Sequence, residues 1–497
     1  MVISSWYLLL PVFVPVLFGL ATAFVPAFAG KKARRGFVSA GLVLSALLVL
    51  PVLFGPDLEQ TLFTLSDDLR IFFRVDDTGR FFAAVMAFVW CAAGLYSFEY
   101  MSHEDHLPRY YAFYLITMGV LMGLCFSGSL VTYYMCYELM TLLTVPLVMH
   151  TMEKDAVAAG IKYLIYSVTG ASLVLLGIFL LSPYVSSYSF TAGGVLDPEK
   201  LAGHESFVLV TAFLMIIGFG AKAGMFPLHG WLPTAHPAAP SPASAVLSGV
   251  ITKAGVLGML RLLYQFIGPE FLRGTWVQTA FLCLTLFTVF MGSLLAWREG
   301  LLKKRLAWSS VSQVSYVLTG LATLHPVGLV GALLHVAAHA LIKDTLFMSA
   351  GAIICRTHKK QVSELEGIGK QMPIVMWCFT LASVGLVGIP PCIGFVSKWY
   401  LAQGALSMTG VPEAFHWLVP AVLLISALLT AAYLLPISIR GFFAGRNPDG
   451  SLKFFEKNEP GAGMLVPMVL LTALILLLGM FPGGLIAVAE RIAAVLL

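Results

Sequence analysis

Charge is scarce in this sequence. Of 497 residues only 11% are Asp, Glu, Lys or Arg, while 59% are hydrophobic. No water-soluble core needs that balance, so the chain reads as an all-α polytopic membrane protein. Cysteine is also sparse. The 7 present (Cys91, Cys125, Cys136, Cys283, Cys355, Cys378 and Cys392) lie mostly in apolar segments and form no CxxC pair. That pattern excludes a disulfide framework and cluster ligation, and leaves small packing residues. The net charge of +5 comes from residues scattered among loops, with no basic stripe; nucleic acid is not an expected partner. No phosphate loop, zinc-binding helix motif or nucleophile elbow occurs in a usable context.

Long apolar runs dominate instead. A bilayer-spanning helix needs about 20 apolar residues, and about fourteen segments meet that length. They fall near 6–28, 36–55, 78–98, 110–128, 129–150, 157–182, 207–228, 243–266, 275–297, 304–323, 328–354, 373–397, 417–440 and 463–485. The first lacks a preceding basic residue and is too long for a signal-peptide core, so it is read as a membrane helix. Residues 57–80 fit no span. Their LRIFFRVDD alternates and predicts a short hairpin or strand on the outer face. The chain divides into N-terminal helices (1–108), a first repeat (109–270), a second repeat (271–441) and a C-terminal helix (442–497), all within one membrane domain, 1–497.

Basic residues set the orientation. Lys31, Lys32, Arg34, Arg35, Arg109, Lys154, Arg298, Lys303, Lys304, Arg305, Arg356, Lys359, Lys360, Lys370, Arg440, Arg446, Lys453 and Lys457 follow odd-numbered spans. Only Arg70, Arg74, Arg80, Lys200, Arg261 and Arg273 follow even-numbered ones. The odd loops are therefore cytoplasmic and both termini lie outside a prokaryotic-type plasma membrane. Lys162, Lys222, Lys253, Lys343 and Lys398 remain at membrane depth.

A charge at that depth costs roughly 3 kcal/mol on insertion scales, so each one is a functional-site hypothesis. The stretch GFGAKAGMFPLHGWLPTAHPAAPSPASAVLSGVITKAGVLGMLR carries Lys222, His229, His236 and Lys253, with Pro233, Pro237, Pro240 and Pro242 interrupting a helix. Irregular backbone inside a membrane survives only when buried in protein or lining a wet cavity. A second interruption, VGLVGIPPCIGFVSKWYL, breaks at Pro390 and Pro391 with Lys398 just beyond. Two such segments in corresponding places suggest two structural repeats.

Glu138, midway along the fifth span, would protonate and fall silent if isolated. Lys222 is its natural partner, and a moving carboxylate would then switch the lysine's proton on and off; a static ion pair is the alternative. Lys253 could receive a proton from Lys222, directly or through water and His229, or simply bond freed carbonyls. His335, His339 and Lys343 recur every four residues and share one helix face. Histidine suits a relay, while a haem or metal site is its rival. Ser309, Ser310, Ser312 and Gln313 could hold water between sites or pack helices. Lys398 and Lys162 are either transport groups or snorkelling lysines.

KAGMFPLHGWLPTAHPAAPSPASAVLSGVITKAG, RLAWSSVSQVSYVLTGL, HVAAHALIKDTLFMSAG and GIPPCIGFVSKW together resemble the antiporter-like membrane subunits shared by respiratory complex I, Mrp-type Na⁺/H⁺ antiporters and membrane-bound hydrogenases. The resemblance implies fourteen helices, with two inverted five-helix repeats around broken helices seven and twelve. It matches Glu138 to the family's glutamate of helix five, Lys222 to the lysine of helix seven and Lys253 to that of helix eight. His335, His339 and Lys343 match the polar run of helix eleven, and Lys398 the charged group of helix twelve. It also implies a chain without cofactor or metal, moving H⁺ or Na⁺, beside other membrane subunits and a peripheral iron–sulfur module. Tyr137 stands where many members have tryptophan, and Lys398 where some have glutamate. The long lateral helix of the distal complex I subunit is not expected. A redox-driven proton-translocating subunit is the leading expectation, and an Mrp-type antiporter subunit the alternative. A solute transporter, a cytochrome and a static structural subunit are readings of other classes.

Overall fold

The computed structural model describes residues 4–28, 30–66, 69–443 and 456–497. Arg446 and Lys453, two of the basic loop residues, lie outside the described residues, as do residues 67 and 68. The helices are α1 (Leu10–Phe24), α2 (Lys31–Phe54), α3 (Asp77–Tyr100), α4 (Leu107–Cys125), α5 (Leu130–Val148) and α6 (Lys154–Leu181). Helix α7 comes in two pieces, α7a (Glu205–Ala223) and α7b (Leu232–Ala238). Then follow α8 (Ser241–Ile267), α9 (Trp276–Arg298), α10 (Leu302–Ala322) and α11 (Pro326–Thr357). Helix α12 is again split, into α12a (Pro373–Val387) and α12b (Ile393–Ser407), before α13 (Ala414–Phe442), α14 (Ala462–Met480) and a final α15 (Gly483–Leu496).

Among the described residues, 11 helices are long and apolar enough to cross a membrane. The three other expected spans coincide with α4, the polar α10 and the split α12. The last helix, α15, was not separated from its predecessor in the sequence. The expected hairpin is present: β1 (Glu59–Ser66) pairs antiparallel with β2 (Leu69–Arg74).

Burial orders these helices. Every residue in the apolar window of α8 is buried, and 89% in that of α11, against 33% for α1, α2, α13 and α14. Helices α8 and α11 are therefore the inner axis, with α10 also buried along most of its length, and α1, α2, α13 and α14 lie in the lipid-facing wall. Phe24, Phe54 and Phe481 are exposed, as are Trp6, Trp276, Trp377 and Trp417. In water such a surface would aggregate; in a bilayer it is the contact face, with tryptophan suited to its interfaces.

The two breaks share one construction. Gly224 ends α7a at φ 82°, and the Met225 N–H turns back to the Gly220 carbonyl (2.8 Å). Glycine enters this left-handed region without a Cβ penalty. The chain then unwinds until the Trp231 indole N–H donates to the Ala221 carbonyl (2.8 Å), and the Phe226 N–H reaches Thr288 Oγ1 (3.1 Å). Gly388 ends α12a at φ 92°, and the ammonium of Lys398 on α12b donates to the Leu386 and Val387 carbonyls (2.6 and 3.0 Å). In both places a downstream side chain supplies the donor that the broken helix lost. Of the four prolines read as interruptions, Pro233 and Pro242 sit in the first turns of α7b and α8, where a missing N–H is harmless. They start helices.

Arg261 corrects the topology count. Its place after an even-numbered span predicts a loop residue, yet it is 1% exposed within α8. Its guanidinium grips both carboxylate oxygens of Asp76, which also caps α3 through the Gly79 N–H (2.7 Å). Gln265 accepts from the same guanidinium (2.7 Å). This pair ties the end of α8 to the hairpin exit and the start of α3. Breaking a buried pair by removing one partner typically costs about 3–5 kcal/mol. Asp76→Ala is therefore expected to lower the unfolding free energy of the detergent-solubilised protein by that order, read from its denaturation midpoint. Asp77→Ala, whose partner Arg80 also holds Asp57 and two carbonyls, is expected to change it by under about 1 kcal/mol. Equal midpoints for both variants would contradict the assignment.

Candidate functional site

Lys222 lies wholly buried in the last turn of α7a. Its ammonium donates to Thr141 Oγ1 on α5 (2.7 Å), and to Ser167 Oγ (3.1 Å) and Tyr163 OH (3.2 Å) on α6. The rings of Tyr163 and Tyr137 lie 4.8 and 5.5 Å from Nζ, close enough for cation–π attraction. An ammonium has three donors and no acceptor, so this cup satisfies it fully without a carboxylate. Glu138, half-buried on α5, is within electrostatic reach of Lys222 but not in hydrogen-bond contact with it. The two residues are brought together at a distance.

A second cluster joins α8, α10, α11 and α12. A π-turn, Leu247–Ile251, opens the first part of α8. Its Ser248 carbonyl accepts from Thr252 Oγ1 (2.7 Å) and from Lys253 Nζ (2.8 Å). The same ammonium meets His339 Nδ1 on α11. One turn on, Lys343 donates to the Leu306 carbonyl (3.0 Å) and to Ser309 Oγ on α10. One turn back, His335 Nδ1 bonds Ser397 Oγ on α12b (2.9 Å). The Lys398 ammonium, one residue further, lies 4.9 Å from the Tyr316 ring, and Tyr316 stacks on His335. Lys253, His339, His335 and Lys343 are all buried. The four-residue stripe on α11 is therefore real, and each member has a partner on another helix.

Other residues part from their sequence reading. His229 sits between the rings of Phe226 and Trp308 and bonds neither Lys222 nor Lys253, so it does not bridge them here. His236 is wholly buried on α7b, stacked 4.6 Å from Phe347, with both ring nitrogens unpartnered. Ser310 bonds Ser248 (2.7 Å) and Ser312 bonds Ser293 (2.8 Å), which is helix packing. Of Ser309, Ser310 and Ser312, only Ser309 bonds a lysine. Gln313 is buried with neither amide atom hydrogen-bonded. Lys162 donates to Thr234 Oγ1 on α7b (3.0 Å).

A cavity of about 680 Å³ reaches this break, lined by Glu104, Glu153, Lys162, Thr234, Ser241 and Lys303. It is flanked by the loops that carry the basic residues. Glu104, in the loop before α4, has its carboxyl raised above the usual range by burial and by the neighbouring Asp105 and Glu153. Among the described residues no group of three His, Cys, Asp or Glu is placed to hold a metal ion. Sequence reasoning missed Thr141, Tyr163, Ser167, Ser397 and Tyr316, which are ordinary helix residues until the fold aims them at a lysine. It also missed Asp344, although HALIKDTLF places it beside Lys343.

Residues 127–440 match the family described as NADH:quinone oxidoreductase/Mrp antiporter, TM. The chain is 34% identical over 418 residues to the NADH-quinone oxidoreductase subunit N of Desulforudis audaxviator, covering 80% of this chain and 79% of that one. It is 30% identical over 453 residues to hydrogenase-4 component B of Escherichia coli, covering 88% of this chain and 65% of that one. A chain of the Mrp complex from Dietzia sp. DQ12-45-1b superposes with a TM-score of 0.85 at 22% identity, covering 99% of this chain and 97% of that one.

The cup around Lys222 makes a specific demand. Thr141→Val removes one acceptor from a buried ammonium, which costs about 1.5–3 kcal/mol for a charged hydrogen bond. Ion transport by the complex in membrane vesicles is expected to fall about tenfold or more, since about 1.4 kcal/mol is one decade. Thr141→Ser, which keeps the hydroxyl, is expected to restore it. Equal rates for the two variants would remove Thr141 from the site.

Proposed function

The chain belongs to the NADH:quinone oxidoreductase/Mrp antiporter transmembrane family, whose members are antiporter-like subunits of complex I, hydrogenase and Mrp complexes, and on that premise we propose that it translocates protons across the membrane for a redox-driven complex. The observation that carries this reading is the contact of Lys253 on α8 with His339 on α11. It joins the broken-helix region of the first half to the polar stripe of the second, in a region with no exposed surface.

The path proceeds from the cavity beside α7b, through Lys222 or Lys253, into the α11 stripe of Lys343, His339 and His335, and leaves it from His335 to Lys398 on α12b. Each step has a physical basis. A buried ammonium is costly unless its donors are matched, and every lysine here holds acceptors it can trade. Imidazole accepts on one nitrogen and releases from the other. The unpartnered ring nitrogens of His236, His335 and His339, and the Gln313 amide, are groups that water would bind. Glu138, near Lys222 but not bonded to it, sets how readily that lysine keeps its charge, and is placed to respond to charge in an adjacent subunit. The repeat reading, with halves 109–270 and 271–441 and fourteen spans in all, is supported by the matching construction of the two breaks.

The partners proposed are further antiporter-like membrane subunits and a peripheral iron–sulfur module, in a prokaryotic-type plasma membrane with both termini outside. No cofactor is assigned to this chain. The Mrp-type reading stays alongside, because the chain superposes on a subunit of such a complex. Purification in mild detergent separates the two: an iron–sulfur protein in the complex supports redox drive, and its absence beside small membrane subunits supports the antiporter.

Lys222→Ala and Glu138→Gln are each expected to abolish coupled ion transport while subunit composition stays that of the native complex. The measurement is ion uptake by vesicles alongside the mass-spectrometric inventory of the purified complex. Wild-type uptake by either variant overturns the mechanism.

A further inference from the structure

One buried acid has no place in the path just described. Asp344 is 0% exposed, and among the described residues it is the only Asp or Glu in the fully buried class. Neither carboxylate oxygen has a hydrogen-bond partner. Lys343, its neighbour in sequence, points away to Leu306 and Ser309. The Asp344 side chain instead enters the π-turn of α8. It occupies the space that a side chain at Gly249 would need: a Cβ built there would lie 1.7 Å from Asp344 Oδ1. Glycine at 249 is thus what admits the carboxyl. π-Turns are concentrated at functional sites, and this one also frees the Ser248 carbonyl that Lys253 holds.

Lys253 is the cation whose field reaches Asp344. It stands one helical turn past Gly249 on the same helix, held by Ser248 and His339. The remaining titratable groups around the acid are the Tyr114 hydroxyl on α4 and, on α11 itself, His339 and Lys343. A buried carboxylate with no protein donor is costly by several kcal/mol. Two states relieve that cost. Either Asp344 carries a proton, or the Lys253 ammonium leaves His339 and turns to it.

We infer that Asp344 is a proton-holding site of the transport path, exchanging a proton with Lys253 across the π-turn at Gly249. In one state Asp344 is a neutral acid and Lys253 is a neutral amine bonded to His339. In the other, the acid's proton has moved to Lys253, and the carboxylate pairs with the resulting ammonium. The O–H bond of Asp344 breaks as an N–H bond forms on Lys253 Nζ, and no other reactant is needed. Asp344 thereby gives the lysine-rich axis a negative charge at its centre, complementing Glu138 at its edge.

This inference rests on the proposed transport path, and its test is chosen to separate the two. Infrared difference spectra of the purified complex across a pH titration report the C=O stretch of a protonated, buried carboxyl independently of transport. The expected result is such a band in the wild type, absent in D344N and retained in D344E. Vesicle uptake is expected to fall at least tenfold in D344N and to recover in part in D344E. G249A, which keeps Asp344 but fills its space, is expected to shift the band and slow uptake as well. Wild-type uptake by D344N would overturn the inference, as would the absence of any carboxyl band that this substitution removes. Wild-type uptake by Lys222→Ala, with the Asp344 band intact, would instead count against the wider path.

Discussion

A broken helix inside a membrane must find new donors for its freed carbonyls, and much of this structure follows from that need. At the first break the donor is the Trp231 indole; at the second it is the Lys398 ammonium. The difference has consequences. Indole is neutral and its N–H does not leave, so the first break is a fixed joint. An ammonium at the C-terminal end of α12a lies where the helix dipole favours positive charge, and it can give up a proton. One structural requirement is thus met once by packing and once by a titratable group. Lys398 need not choose between a structural and a transport role, since the bonds that hold it are the bonds a proton transfer would change.

The lysines share a second regularity. Lys222, Lys343 and Lys398 are solvated by hydroxyls and carbonyls, and Lys253 by a carbonyl and an imidazole; none is hydrogen-bonded to a carboxylate. A standing ion pair favours the charged form of a lysine, whereas neutral acceptors leave it closer to balance with the neutral amine. Neutral acceptors hold a charge weakly enough that a distant carboxylate shifts the balance. The contrast within the chain is Arg261, clamped by both oxygens of Asp76. Guanidinium does not deprotonate in proteins, so this pair is a fastener. Lysine with hydroxyls and arginine with carboxylate are thus the titratable and the fixed charges of the chain.

Much of this was legible in the sequence because a membrane makes every charge conspicuous. The helical class, the hairpin, both breaks and the α11 stripe follow from hydropathy, proline placement and spacing. What the sequence hides is contact between distant segments. Thr141 and Ser167 are unremarkable until α5 and α6 turn them to Lys222. Arg261 reads as a basic residue at a span's end, because its partner lies on another element. His229 reads as a bridge because it lies between two lysines in sequence, whereas the unwound segment carries it against Trp308. Pro233 and Pro242 read as breaks because their effect depends on whether they stand in a first turn or an interior one. Asp344 was hidden differently: the eye follows the four-residue repeat to Lys343, and a residue one step on points about 100° around the helix.

That rotation is what makes α11 more than a row of bases. Its Lys343 face meets α10, and its Ala340 and Asp344 face meets the Gly249 π-turn of α8. One helix therefore presents donors to the second half and an acid to the first. Any change in how α8 seats on α11 alters the His339–Lys253 contact and the space around Asp344 together, because both are set by the same few turns of α8. The π-turn matters here because its looser hydrogen bonding can shift with little loss, whereas regular helix on either side resists. The seam lies against α8, whose apolar window is wholly buried, so a displacement there moves protein against protein and not against lipid.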